Sequence, residues 1–323
     1  MYAIRQHEFG PAENLLYEEV PDPVPAEGQV RITVEAAGVH LIDTAIRRGE
    51  EWGYPVPDLP MVPGREVAGT VDRIGPGVDG AWSGRRVVGH LGAVSGGYAE
   101  RAVAAVESLH DVPPHLAPDA AVAAIGTGRT AVAILEVAAL TSDDVVIVTG
   151  AAGGLGNLLV QAALGAGASV VGVAGGSEKT ERVRALGATT VADYLESEWM
   201  NRVRESLGER GASLVLDGVG GSLGRQAMTL LGRGGRLILF GWSSGEVTPI
   251  STEDLMARSL TVSWALGQRR AWERQRELEA MAIEEIAFGR LVPLIETFAL
   301  AEAAAAHKAV ETRATIGKTV LLP

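Results

Sequence analysis

The sequence predicts an α/β protein in two parts, a β-rich portion and a doubly wound parallel sheet of dinucleotide-binding type. Three observations carry that reading. Val145–Gly156 (VVIVTGAAGGLG) reads as a buried strand, Val145–Thr149, running into a glycine-rich turn. Asn157–Gly165 (NLLVQAALG) then reads as the start of a helix, and Ala168–Ala174 (ASVVGVA) as a second strand. A length of 323 residues also exceeds one ordinary core, so two domains are the default. The turn matters because glycines let a pyrophosphate approach the backbone, and the following helix offers free N–H groups and a positive dipole end. Its three fingerprint places hold Ala151, Gly153 and Gly156, with Gly154 as an extra; Ala152 and Leu155 complete the turn.

The first portion, residues 1–122, is expected to be all-β. Strand-like runs are Val30–Glu35, Glu66–Ile74 and Arg85–Gly89, punctuated by PDPVPAEG at 21–28, GPG at 75–77 and SGG at 95–97. Near Ala120 the texture turns alanine-rich and helical. Residues 123–265 then alternate strands and helices. The strands are Val145–Thr149, Ser169–Val173, Thr190–Ala192, Leu214–Asp217, Arg236–Gly241 and Leu260–Ser263, with helices such as Ser177–Leu186 and Leu223–Leu231 between them. Residues 266–323 hold a charged helix (Ala271–Ala287), the strand-like VPLIETFAL, a helix (Ala301–Glu311) and a terminal strand, GKTVLL. This tail is expected to rejoin the β-rich domain.

Composition narrows the function classes. Net charge is −12, from 28 basic and 40 acidic residues, which argues against a nucleic-acid or anionic-membrane surface. There are no cysteines, so disulfides and thiolate metal sites are excluded. The N-terminal MYAIRQHEFG has no long apolar stretch, and the alanine-rich run Ala120–Ala139 is interrupted by Gly126, Gly128, Arg129 and Glu136. A soluble cytoplasmic protein is the expectation.

The order of β domain, nucleotide domain and return resembles the medium-chain dehydrogenase/reductases. The motifs that resemble the zeta-crystallin-like quinone oxidoreductase branch are GVHLIDTAIRRG (38–49), LPMVPGREVAGTV (59–71), SGGYAE (95–100) and GAAGGLGNLLVQAA (150–163). Others are LGATTVADY (186–194), LDGVGG (216–221), GGRLILFGWSSG (234–245) and ETRATIGKTVLLP (311–323). The resemblance implies a GroES-like β-rich catalytic domain beside a Rossmann domain. Zinc-dependent members place their three ligands at positions matched here by His40, Arg65 and Thr127. Only His40 could bind zinc, and the Arg65 guanidinium would repel it, so no metal is expected. Glu66 reads either as a strand-end carboxylate paired with a nearby arginine or as a group with a direct chemical role.

For cofactor choice, an NAD site wants an acid at the end of the second strand, about 20 residues past the glycine turn. Here that position is Ala174, followed by Gly175, Gly176, Ser177 and Lys179. A hydroxyl, a cation and small residues suit a 2′-phosphate, so NADPH is the expected cofactor. The resemblance implies that Lys179 binds that phosphate with Tyr194 alongside; a solvated helix lysine and a packing tyrosine are the plain readings. It also implies cofactor contacts for Thr127, Thr130, Phe240, Gly241 and Arg313. Thr130 is equally readable as a helix-start hydroxyl, Phe240 as core and Arg313 as a surface ion-pair member.

Hydride transfer needs a dry pocket and a group that answers developing negative charge. His40 stands where the family's position lies beside the nicotinamide, and it could donate a hydrogen bond or a proton. Asp43 could orient it or pair with Arg47. Trp52 and Tyr54, in EEWGYPVPDLP, could close over a flat acceptor or be plain loop aromatics. Quinone reductase relatives often have Asn and Tyr where His40 and Ala45 stand. Neither a Ser-His-Asp signature nor a tyrosine–lysine helix motif of the short-chain reductases is present. The expected function is NADPH-dependent reduction of a quinone or α,β-unsaturated carbonyl. The alternatives are an enoyl-thioester reductase and a non-catalytic NADPH-binding protein. Edge pairing of Leu260–Ser263, with Trp264 beside it, implies a homodimer.

Overall fold

The computed structural model describes residues 1–50, 56–92, 96–267 and 274–323. Its contacts divide it into two units. One comprises Met1–Gly128, Glu279–Ala287 and Ile295–Pro323; the other comprises Arg129–Leu278 and Phe288–Leu294.

Along the chain, the first unit opens with β1 (Tyr2–Gln6) and β2 (Leu15–Glu19), an antiparallel pair. Then come β3 (Gln29–Val39), α1 (Leu41–Arg48), β4 (Glu66–Ile74), β5 (Arg86–His90), β6 (Arg101–Ala105) and β7 (Leu109–Asp111). β3 runs past the expected Glu35 because Ala36–Val39 are buried and pair on both sides. The helical run that follows begins with α2 (Pro118–Ala123) and passes through a π turn at Ala124–Gly128. α3 (Arg129–Ala138) opens the second unit. Pro118–Ala138 is long and apolar enough to cross a membrane by length and composition. Yet 67% of its apolar window is buried within the protein, as in a core helix.

The second unit continues through β8 (Val145–Thr149), α4 (Gly154–Gly165), β9 (Ser169–Ala174), α5 (Ser177–Ala185) and β10 (Thr190–Asp193). After α6 (Trp199–Leu207) come β11 (Ala212–Asp217), α7 (Gly221–Thr229), β12 (Leu231–Leu239), α8 (Thr252–Arg258) and β13 (Thr261–Trp264). The six strands form one parallel sheet in the order β10-β9-β8-β11-β12-β13, reversing direction of growth at β8/β11. That is the doubly wound order, with the reversal at the mouth where such sheets bind ligands. β12 starts earlier than Arg236 because Leu231 already pairs with Ala212. Trp264 falls inside β13 because it pairs with Leu239. Ile147, Val171, Val173, Val215 and Leu237 centre one core, with Trp199, Val203 and Met228 packed on it.

α9 (Gln275–Ala287) is followed by β14 (Ile295–Ala299), α10 (Ala303–Glu311) and β15 (Lys318–Leu322). The expected helix start at Ala271–Glu273 lies outside the described residues. β14 and β15 join the sheet of the first unit, in the order β14-β15-β3-β4-β5-β7, with β6 also paired to β3. Between α9 and β14, Phe288–Leu294 stays with the second unit. Gln161 grips Val292 through two 2.8 Å bonds, and Asn157 Oδ1 accepts from Leu294 N at 3.1 Å.

Candidate active site

Three neighbouring strands bring three ionisable side chains to one end of the first unit's sheet. β15 pairs with β3 so that Thr319 faces Val39, which sets Lys318 beside the residue after β3, His40. β4 flanks β3 on the other side with Ala37 facing Val67, so Glu66 starts opposite Gly38. The result is a triangle. His40 Nε2 lies 2.6 Å from Glu66 Oε2 and 2.7 Å from Lys318 Nζ, and Nζ lies 3.2 Å from Glu66 Oε2. Nζ also donates to Val39 O at 3.1 Å. Glu66 and Lys318 are 1% and 3% exposed, whereas the His40 side chain is 25% exposed.

Two glycines make room for the carboxylate. A Cβ on Gly38 would fall 2.4 Å from Glu66 Oε2, and one on Gly126 would fall 1.7 Å from Oε1. Gly126 sits in the π turn, a kind of helix irregularity that often accompanies functional sites. Burial would raise the Glu66 pKa, but the electrostatic and hydrogen-bonding pull of His40 and the charge of Lys318 override that and hold it well below the usual carboxylate range. Lys318 is pushed down by burial, against the pull of Glu66 and Asp43. The two directions agree physically: Glu66 has the His40 ring and the Lys318 ammonium beside it, while the charge of Arg65 works against the Lys318 ammonium.

Asp43 holds the turn that carries His40. Its Oδ2 accepts from His40 N at 2.8 Å and its Oδ1 from Arg65 Nε at 3.1 Å. It thus anchors the backbone of His40 rather than the ring, and it does not pair with Arg47, which binds Glu311 and Gly10 O. Glu66, for its part, bonds His40 and Lys318 while Arg65 turns to Asp43. Behind Asp43, Tyr98 Oη lies 3.4 Å from Oδ2 and 3.1 Å from His307 Nε2. His307 Nδ1 is buried without a hydrogen-bond partner. An orphaned acceptor costs less than an orphaned N–H, so the proton sits on Nε2, pointing to Tyr98, whose hydroxyl then donates to Asp43. Burial pushes His307 down to about 4, and burial together with the Asp43 charge pushes Tyr98 well up.

In the second unit, β8 runs into Gly150 (φ +60°), and Gly153 caps α4, which starts at Gly154 rather than Asn157. No side chain caps α4, so its first turn, through Leu155, presents backbone N–H groups. A Cβ on Gly156 would sit 2.1 Å from Gly150 O, so only glycine lets the helix close on the turn. Ala151 and Ala152 are buried beneath it. β9 ends at Ala174, as expected, with no acid there. The Tyr194 ring lies on Gly175, where a Cβ would come within 2.5 Å of Cζ. Gly176 (φ +87°) precedes α5, and its N–H donates to Asp193 Oδ1 at 2.9 Å, as does Leu195 N. The Asp193 carboxylate is thereby committed to backbone. Ser177 is exposed and Lys179 half-buried in the first turn of α5. This cradle fits a dinucleotide, and its hydroxyl and cation fit a 2′-phosphate.

The other expected residues fall as follows. Phe240 is buried with its ring over Gly218, and Gly241 packs against Gly218 O, both just past β12. Thr130 is half-buried in α3; Thr127 is buried in the π turn of the first unit. Arg313 is exposed at φ +56°, two residues past α10. Trp52 and Tyr54 lie outside the described residues. Lys318, Tyr98 and His307 were not singled out by the sequence; a lysine opening an otherwise uncharged, mostly apolar strand is the signal that marks Lys318.

Comparison with known proteins fixes the class. Residues 26–114 match the alcohol dehydrogenase GroES-like domain, and residues 154–286 match the zinc-binding dehydrogenase domain. The quinone oxidoreductase of Sus scrofa is 32% identical across 100% of this chain and 98% of its own. A 2-haloacrylate reductase of a Burkholderia species is 34% identical across 98% and 97%. Among solved structures, a mycobacterial protein complexed with NADPH is 35% identical, with a TM-score of 0.86 and complete coverage of both chains. The Escherichia coli quinone oxidoreductase complexed with NADPH is 29% identical, with a TM-score of 0.85 and complete coverage. The chain belongs to the medium-chain dehydrogenase/reductase superfamily and, within it, to the quinone oxidoreductase branch. The zinc of its matched domain's description does not fit these residues. Arg65 fills one ligand place and is paired to Asp43, and His40 Nε2 already faces an ammonium at 2.7 Å. Among the described residues no group of three His, Cys, Asp or Glu is placed to hold a metal.

Proposed function

We propose that this protein is an NADPH-dependent, zinc-independent reductase that delivers hydride to a quinone or to an α,β-unsaturated carbonyl. The observation that carries it is the second strand ending in Ala174, with Ser177 and Lys179 opening the next helix where a 2′-phosphate would lie. The NADPH complexes of the mycobacterial and Escherichia coli relatives support the same cofactor. When bound, the cofactor supplies the hydride. The chain's own residues do the rest: the turn at Gly153–Gly156 binds pyrophosphate, Lys179 and Ser177 answer the 2′-phosphate, and Asp43 holds His40 in place. Thr127, Thr130, Gly175, Phe240, Gly241 and Arg313 belong to this reading as cofactor neighbours, and Trp52 and Tyr54 as acceptor neighbours.

Without a strong Lewis acid an isolated carbonyl is poorly polarised, whereas a conjugated acceptor spreads developing charge over its own π-system. The Burkholderia relative's substrate name is also that of a conjugated acid. A steady-state panel of quinones, enones, ketones and alcohols tests the reading: the conjugated acceptors should have the highest kcat/KM. A plain alcohol or ketone at the top would overturn it. The protein is further proposed to be a soluble homodimer paired through β13, the edge strand that ends in half-exposed Trp264. Light scattering at micromolar concentration should give twice the chain mass.

A further inference from the structure

The triangle around His40 Nε2 poses a proton-count problem. Toward Glu66 Oε2, at 2.6 Å, Nε2 must carry a hydrogen; toward the Lys318 ammonium, at 2.7 Å, it must offer its lone pair. It cannot do both at once. Both contacts are nonetheless within hydrogen-bonding distance in one geometry, so either proton position is reached without movement of heavy atoms. The ammonium has three N–H groups and three acceptors around it: Val39 O, Glu66 Oε2 and His40 Nε2. Lys318 and Glu66 are sealed from water, while the partly exposed His40 ring is the member that reaches outward. Nδ1 is the ring nitrogen outside the triangle.

We propose that Lys318 is a positioning residue that, together with Glu66, makes His40 a reloadable proton donor to the reduced acceptor. This rests on the reductase reading. At rest Lys318 is an ammonium donating to Nε2, which fixes the imidazole as the neutral tautomer with its hydrogen on Nδ1. Hydride addition leaves the acceptor an enolate or phenolate-type anion. The Nδ1–H bond breaks and that proton joins the anion. In the same step an Nζ–H bond of Lys318 breaks and its proton moves to Nε2, which then donates to Glu66 Oε2. Lys318 is left a neutral amine and Glu66 stays a carboxylate. A solvent proton taken up at Nδ1, with the Nε2 proton returning to Nζ, restores the resting state.

The surroundings suit such a transfer. Burial lowers the cost of neutralising Lys318, and Glu66, Asp43 and Arg65 are the charged groups that act on it. His90, opposite Glu66 on β5, adds to the positive charge facing that carboxylate. The two glycines at 38 and 126 leave the space that the carboxylate occupies.

Histidine-ring ¹⁵N spectra of the full chain, with and without NADPH, test the proposal. The His40 signals are assigned by their loss in His40→Gln. The unaltered protein should show Nδ1 protonated and Nε2 bare. Lys318→Met should move the hydrogen to Nε2 and lower kcat for a quinone or enone by about 10²-fold, with the NADPH Kd unchanged. Lys318→Arg keeps a cationic donor that does not release a proton near neutral pH. It should therefore keep the resting tautomer and still lose the rate. A hydrogen on Nε2 in the unaltered protein, or full rate in Lys318→Arg, overturns the proposal, and neither result depends on the Met variant folding. Failure of the reductase reading would look different: no NADPH oxidation by the unaltered protein with any acceptor, while the tautomer still decides the triangle.

Discussion

Each unit of this protein buries a carboxylate at the end of a strand, Glu66 in one and Asp217 in the other, and the two are answered in opposite ways. Glu66 faces an ammonium and an imidazole. Asp217, 0% exposed, faces neutral donors alone among the described residues: Thr149 Oγ1 at 2.7 Å, Thr248 Oγ1 at 2.6 Å, and the backbone N–H groups of Val219 and Gly220 at 3.0 and 3.2 Å. A Cβ on Gly224 would strike Asp217 Oδ2 at 2.2 Å, so this carboxylate too sits in a glycine-made seat. The difference separates two uses of a buried anion. Asp217 ties the ends of β8 and β11 to the loop after them, which is architecture. Glu66 stores charge next to a partly exposed ring, which is chemistry.

That contrast can be broken by measurement. The largest effect is expected for Glu66→Ala, which leaves the Lys318 ammonium buried without its partner. Loss of about 3–5 kcal/mol is typical for removing one side of a buried pair, and urea unfolding should show it. A smaller loss than for any Asp217 variant would break the comparison. Next comes acid sensitivity from His307. Its folded pKa of about 4 lies below the ordinary value of 6.5, so the unfolded chain binds more protons in between. Stability therefore falls as pH drops from 6.5 toward 4, by roughly 3 kcal/mol in full. Unfolding at about pH 7 and about pH 4 should show this slope, and His307→Gln should flatten it.

Asp217→Asn sharpens the contrast further. An amide nitrogen cannot accept, so part of the donor ring is left unmet, at about 1–3 kcal/mol. The His40 ring tautomer should not change. The smallest effect belongs to the half-exposed Lys179. Lys179→Ala should weaken NADPH by about tenfold and leave NADH unchanged, as for one charge-assisted phosphate contact. Fluorescence titration with both cofactors reads it; equal losses would show that Lys179 does not distinguish the 2′-phosphate.

The cradle was legible in the sequence because it is local. Val145–Thr149, the glycines after it and Ala174 lie within about thirty residues, and strand, turn and helix follow from periodicity and backbone freedom. Element ends were less legible where partners decide them: β12 begins at Leu231 only because Ala212 lies beside it. The triangle was half visible. His40 stood out by motif, but its partners are separated from it along the chain, and Lys318 meets Glu66 across 252 residues. Glu66 reads naturally as the partner of the arginine next to it. The structure instead gives Arg65 to Asp43, because successive residues at a strand start point different ways.

Synthesis from the N-terminus gives β15 a further meaning. All six strands of the parallel sheet precede residue 265, so they have been made before β15 exists. The other sheet is not complete until then, since β15 lies between β14 and β3 within it. Lys318 is thus made after every strand of the parallel sheet, and it completes the charge centre that His40 and Glu66 began at least 252 residues earlier. A chain cut short just before Lys318 keeps the whole parallel sheet yet lacks that ammonium, so nucleotide cradle and proton donor mature on separate clocks.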